Sequence, residues 1–115
     1  MARKVVPGQS VRGSDTGRPL MAALDLLGRR WALRVLWELR HGPTGARSLL
    51  QRCDGVSSSV MYERLADLRE AGLIEKDTDG SYTLTRLGRQ LGDALEPLDA
   101  WSQRWARTRR DAPGT

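Results

Sequence analysis

Residues 46–84, ARSLLQRCDGVSSSVMYERLADLREAGLIEKDTDGSYTL, carry two helical patterns, a turn between them and two strand patterns in one uninterrupted run. The first helical pattern spans Ala46 to Cys53, and Asp54-Gly55-Val56 supplies the turn. The second runs from about Ser58 to Ala71, with Val60, Met61, Leu65 and Leu68 recurring every three to four residues. That spacing turns one stripe inward and leaves a free face bearing Ser58, Ser59, Tyr62, Glu63 and Arg69. Gly72 stands where a helix C′ glycine belongs, and Leu73, Ile74, Lys76 and Thr78 begin a strand. Asp79-Gly80 reads as a two-residue hairpin turn needing positive φ, with Ser81 to Leu84 as the returning strand. Helix, turn, helix and a small β wing is a DNA-binding order, in which the N-terminal end of the second helix meets base edges and phosphates.

Outward from this block, Pro19 sits where a helix can start, and Leu20, Ala23, Leu24 and Leu27 give a stripe ending at Gly28. The dense apolar run Trp31 to Arg40 predicts a helix buried on most sides, stopped by His41-Gly42-Pro43. Thr85 can cap a last helical region whose apolar positions Leu87, Leu91, Leu95, Leu98, Trp101 and Trp105 persist for nearly five turns. One small core cannot cover so long a stripe, so Leu98, Trp101 and Trp105 are candidates for a dimer seam. Pro97 is expected to kink or restart this helix, because proline cannot donate to residue 93. Residues 1–17 hold Pro7, Gly8, Gly13, Gly17, Arg3, Lys4 and Arg12 without apolar periodicity, and read as a disordered basic arm. The domain is expected to span residues 18–108, with a frayed tail at 109–115.

The chain has 115 residues and a net charge of +5, enough for one domain and suited to a polyanionic partner. Lys4 and Lys76 are the only lysines among 19 basic residues. Arginine is the side chain that pairs bidentately with phosphate and guanine edges. A single cysteine, Cys53, excludes an internal disulfide and a cysteine-based zinc site, and points to a reducing compartment. No apolar run reaches the roughly 20 residues that cross a bilayer. A soluble, cytoplasmic protein is therefore expected, with no membrane partner and no cofactor. One histidine, no Gly-rich phosphate loop and no carboxylate pair placed in a cleft argue against an enzyme.

In order along the chain, Leu24-Asp25-Leu26-Leu27-Gly28, Arg30-Trp31, Leu36-Trp37-Glu38-Leu39, Gly42-Pro43, Gly55-Val56-Ser57, Arg64-Leu65, Ala71-Gly72-Leu73-Ile74-Glu75, Tyr82-Thr83-Leu84-Thr85 and Leu87-Gly88 resemble the HxlR group of winged-helix transcription regulators, relatives of the MarR regulators. The resemblance implies a mainly α fold with a small antiparallel wing, and a homodimer joined by its first and last helices, here through Leu20, Leu24, Leu95, Leu98, Trp101 and Trp105. It implies double-stranded DNA as partner, with two recognition helices entering successive major grooves of a pseudo-palindromic operator. Carried over, the pattern makes Ser57 the cap of the recognition helix, Ser58, Ser59 and Tyr62 base or backbone contacts, and Arg64 a phosphate or intramolecular anchor. Thiol-sensing members of the group carry a cysteine just before the first-helix proline; Arg18 stands there in this chain. The wing is also shorter than is usual in the group.

Each site residue has a plainer reading. The Ser57 to Ser59 run can be an ordinary helix cap, and Arg64 can pair with Glu63, Asp67 or Glu38. Arg47, Lys76 and Arg86 bind phosphates or are solvated charges. Cys53 reads as a small buried hydrophobe, and His41 as a cation at a helix C-terminus. Trp101 and Trp105 either pack at the seam or wall a cavity for an unidentified small-molecule effector. Two functions are compatible with these features: a dimeric, sequence-specific DNA-binding regulator, more readily a repressor, and a winged-helix module that binds another regulator or a polymerase subunit.

Overall fold

The computed structural model describes residues 18–111, so the expected N-terminal arm and the last four residues lie outside the described residues. Five helices and one hairpin follow in the order α1 (Pro19–Leu27), α2 (Ala32–Leu39), α3 (Ala46–Arg52), α4 (Ser58–Glu70), β1 (Ile74–Lys76), β2 (Tyr82–Leu84) and α5 (Arg86–Asp111). This is the winged-helix architecture. Its core is built on α2, whose Val35, Leu36 and Leu39 are buried against Leu49 and Cys53 from the α3 side and Met61, Leu65 and Leu68 from α4. Ala22 and Leu26 of α1 and Leu73, Ile74, Tyr82 and Leu84 around the wing close it. Cys53 is wholly buried among these apolar side chains, as a small hydrophobe.

The helix ends are closed by local chemistry. Pro19 lies in the first turn of α1, where its missing N–H costs nothing. Gly72 takes φ +77 after α4, its N–H bonding Arg69 O and that of Leu73 bonding Leu68 O, both at 3.0 Å. That pair of bonds is the left-handed glycine cap expected at this position. Thr85 Oγ1 accepts from Gly88 N at 3.1 Å and so caps α5, while its own O–H donates to Gly72 O at 2.6 Å.

Four local details differ from the reading of the sequence. The wing turn has three residues rather than two: Asp77 N bonds Ser81 O at 2.8 Å and Gly80 N bonds Asp77 O at 3.0 Å. Gly80 has φ +89, whereas Asp79 keeps a negative φ because its carboxylate accepts from Ser81 N and Oγ, which an ordinary turn conformation allows. Trp31 does not open α2 but precedes it at φ +76, the sole non-glycine with positive φ among the described residues. Helix α5 runs unbroken through Pro97, without a restart, and extends past Thr108 to Asp111. Pro97 and Asp93 are both exposed, so water can serve the carbonyl that loses its helical partner. Finally, Thr44 forms a bridge with Tyr82, with N–H to O bonds of 3.0 and 2.9 Å in the two directions, and thereby ties the α2–α3 connection to the wing.

Candidate nucleic-acid interface

The exposed end of α4 is assembled from a turn that sequence and packing both constrain. Gly55 takes φ +99 in the α3–α4 turn, a conformation that side chains disfavour. A Cβ there would lie 3.9 Å from the Trp31 ring, so the indole is laid against the turn backbone. Arg34 of α2 donates to Arg52 O at 2.8 Å and pairs with Glu38 at 2.9 Å, pinning the end of α3 from the other side.

On this base Ser57 adopts an extended conformation and its Oγ accepts from Val60 N at 3.2 Å. The capping role expected of Ser57 is therefore observed, and its Oγ also lies 3.3 Å from Ser59 Oγ. Ser58, Ser59 and Glu63 are exposed, and Tyr62 is 53% exposed, opposite the buried stripe of Met61, Leu65 and Leu68. The first helical N–H groups have no partner within a helix, so this end offers backbone donors and hydroxyls together. Arg47 on α3, Lys76 at the end of β1 and Arg86 at the start of α5 are all exposed, with the Lys76 ammonium 5.7 Å from the Tyr82 ring centroid.

Arg64 is placed differently. Its guanidinium bonds Asp67 and lies 3.5 Å from Glu63, its side chain is 15% exposed, and its Nε is buried without a partner. Of the three carboxylates considered for it, Glu38 is engaged by Arg34 instead. Residues that the sequence reading did not single out complete this arrangement: Arg29 lies 3.1 Å from Asp67 and 3.5 Å from Asp25. The Asp25/Arg29 spacing of four was visible in the sequence; the reach to Asp67 was not.

Two titrating groups are perturbed. Burial pushes the Cys53 thiol up, partly offset by Arg34, so its reactive thiolate is disfavoured. Hydrogen bonds from Ser81 hold the Asp79 carboxyl below its ordinary value. Among the described residues no cluster of three or more His, Cys, Asp or Glu side chains could hold a metal, and no helix is long and apolar enough to cross a membrane.

The other exposed surface is apolar. Leu20 and Leu24 on α1 are 67% and 54% exposed, and Leu98, Trp101 and Trp105 on α5 are 50%, 50% and 57% exposed. The two indoles stack with centroids 5.6 Å apart. Leu95 is half-buried and shares a shallow groove with Leu33, Trp37 and Leu98. An open apolar cleft of about 350 Å³ lies elsewhere, between α1, the end of α4 and the start of α5, lined by residues such as Leu26, Leu27, Leu73, Leu87 and Leu91.

Residues 26–110 match the family model described as HxlR-like helix-turn-helix. The chain belongs to this family. HxlR-like proteins are helix-turn-helix transcription regulators, and this chain is a DNA-binding regulator of that type. Among similar proteins, an uncharacterised HTH-type transcriptional regulator of Methanocaldococcus jannaschii is 28% identical over 89 residues, covering 74% of this chain and 83% of its own. The quinone-bound structure of YodB from Bacillus subtilis superposes with a TM-score of 0.69 at 29% identity, covering 75% of this chain and 97% of YodB. A regulator from Enterococcus faecalis assigned to the MarR family gives 0.71 at 26% identity over 90% of this chain and 99% of that one. All three are described as transcriptional regulators.

Proposed function

We propose that this HxlR-like protein acts as a homodimeric repressor that occupies a pseudo-palindromic operator, with the N-terminal end of α4 in the major groove. The observation that carries the reading is the exposed polar face of α4 at Ser58, Ser59 and Tyr62, set on a helix whose opposite stripe is buried to 1% or less at Met61, Leu65 and Leu68. Ser59 and Tyr62 are assigned to base edges, and Ser57 and Ser58 to the groove wall. Arg47, Lys76 and Arg86 are assigned to phosphates, which position the protein without reading sequence. Arg64, engaged by Asp67, is assigned to holding α4 rather than to DNA. The exposed leucines of α1 and the Leu98, Trp101 and Trp105 stripe of α5 support a second copy as the partner of the apolar face.

The test is selection of bound sequences from a random duplex pool by the purified protein at about 150 mM salt, where non-specific phosphate binding is weakened. The expected result is an enriched inverted repeat with half-site centres about one turn, roughly 10 base pairs, apart. An unenriched pool overturns the operator reading. A dimer touching about 6 to 10 phosphates also loses roughly 10³- to 10⁵-fold in affinity between 50 and 200 mM salt, and a flat response counts against it.

A further inference from the structure

Helix α4 is fastened to the body in two ways. Met61, Leu65 and Leu68 bury it against the rest of the core, a contact that is strong but non-directional. The second fastening is ionic. Asp67, on α4, lies 3.1 Å from Arg29 at the α1–α2 corner through one oxygen and bonds Arg64 through the other. Arg29 also lies 3.5 Å from Asp25 on α1, and the four side chains are only 6% to 15% exposed. Burying such charges costs several kcal/mol per ion, which pairing roughly offsets, so net stability does not account for the arrangement. Directionality does: charge-assisted hydrogen bonds tolerate little change of angle.

We infer that Asp67 is a positioning residue for DNA reading, which, held by Arg29, sets the angle at which α4 leaves the α1–α2 corner and hence the separation of the two recognition helices. The inference rests on the dimeric operator reading. Asp67 stands ten residues beyond Ser57, about 15 Å along the helix. A tilt of roughly 10° about Asp67 therefore moves the Ser57 end by about 2.6 Å, against a base-pair rise of about 3.4 Å. A hydrogen bond to a base edge does not survive such a displacement. The chain Asp25, Arg29, Asp67 runs from the helix bearing Leu20 and Leu24 to the helix bearing Ser59 and Tyr62, so the apolar and the polar surfaces share one rigid reference.

The experiment measures dissociation constants for the selected inverted repeat and for the same half-sites with one base pair added to or removed from the spacer. For the unaltered full chain, the native spacing should be preferred about tenfold, the effect of one good base contact. Asp67→Asn should reduce that preference to under about threefold while a single isolated half-site is bound nearly as before. Arg29→Gln should do the same, and Arg29→Lys should restore most of the preference. Because Asp67→Asn removes the carboxylate that two largely buried guanidiniums share and can unfold the domain, a second variant, Asp25→Asn with Arg29→Met, Arg64→Met and Asp67→Leu, uncharges all four positions and replaces three of them by apolar groups of similar size. It should stay folded and lose the spacing preference. A folded variant of either kind that keeps the full preference overturns this inference alone. An unaltered protein with no spacing preference overturns the dimeric operator reading, and the inference with it.

Discussion

Helix α4 and the distal half of α5 are each exposed along one side, and the chemistry they expose is opposite. In its first two turns α4 shows solvent Ser58, Ser59, Tyr62 and Glu63, while along its length it buries Met61, Leu65 and Leu68. Beyond Leu95, α5 has no buried residue, yet Leu98, Trp101 and Trp105 are half or more exposed and the two indoles stack on each other. A polar face on a well-buried helix suits a hydrated polyanion; an apolar face on a helix that has left its own core suits a protein surface. Two adjacent exposed tryptophans are the kind of side chain that dominates interfaces. The difference teaches that the same domain offers two partners, one at each kind of face.

If that division is right, the largest effect follows from Trp101→Ser combined with Trp105→Ser. Two anchors worth about 2 kcal/mol each raise the dimer dissociation constant by roughly 10³-fold, read by sedimentation equilibrium, with an unchanged helical circular dichroism signal. Next comes the junction that orients α5. An added Cβ at Gly88 would stand 2.0 Å from Leu73 O, so Gly88→Ala forces backbone apart and should cost about 3 kcal/mol in urea unfolding. At Gly92, in the same helix, a Cβ meets nothing within 4 Å, and Gly92→Ala should instead gain about 0.5 to 1 kcal/mol.

On the α4 side, Ser59→Ala with Tyr62→Ala should remove about 1 to 3 kcal/mol of discrimination between selected and scrambled DNA, leaving dimerisation untouched. Unchanged discrimination would move the reading face elsewhere. The smallest effect belongs to the wing. The Asp79 carboxyl is held below its ordinary value of 3.8, so its hydrogen bonds stabilise the fold above that pH and are lost as pH falls through the lower folded value. Asp79→Asn should lower the melting temperature slightly near neutrality, with the difference from the unaltered chain vanishing as pH falls below the folded value, so that the acid limb is flattened.

Periodicity and local residue type made the two HTH helices, their turn, the Thr85 cap and the Gly72 terminus legible, because each depends on residues within one turn of chain, whereas the Ser57 cap came with the family resemblance. The buried place of Cys53 followed from the same stripe. What escaped depends on distant neighbours. Nothing local marks Thr44 as the bridge partner of Tyr82, or Asp67 as the meeting point of Arg29 and Arg64. Trp31 looks like the first residue of a buried helix; its left-handed backbone becomes sensible only once its ring is seen against Gly55. The wing turn was misread for a related reason, since Asp-Gly suits two hairpin geometries and the Ser81 hydrogen bonds to Asp79 select the longer one. At the interface, the chemical type of each exposed residue was readable, but whether Arg64 was available was not.

One residue, Leu73, joins three jobs through its backbone. Its N–H closes the end of α4, its carbonyl accepts from Thr85 N at 3.0 Å, and the same carbonyl is the atom against which the first turn of α5 is seated at Gly88. Mechanically this is a welded elbow rather than a hinge: α4 and α5 are joined at Leu73, with the Thr85 Oγ1 bond to Gly72 O beside it. In the proposed dimer, adaptation to operators of different pitch is then left to flexing farther out along α5, beyond its first two turns, or to sliding at the proposed seam.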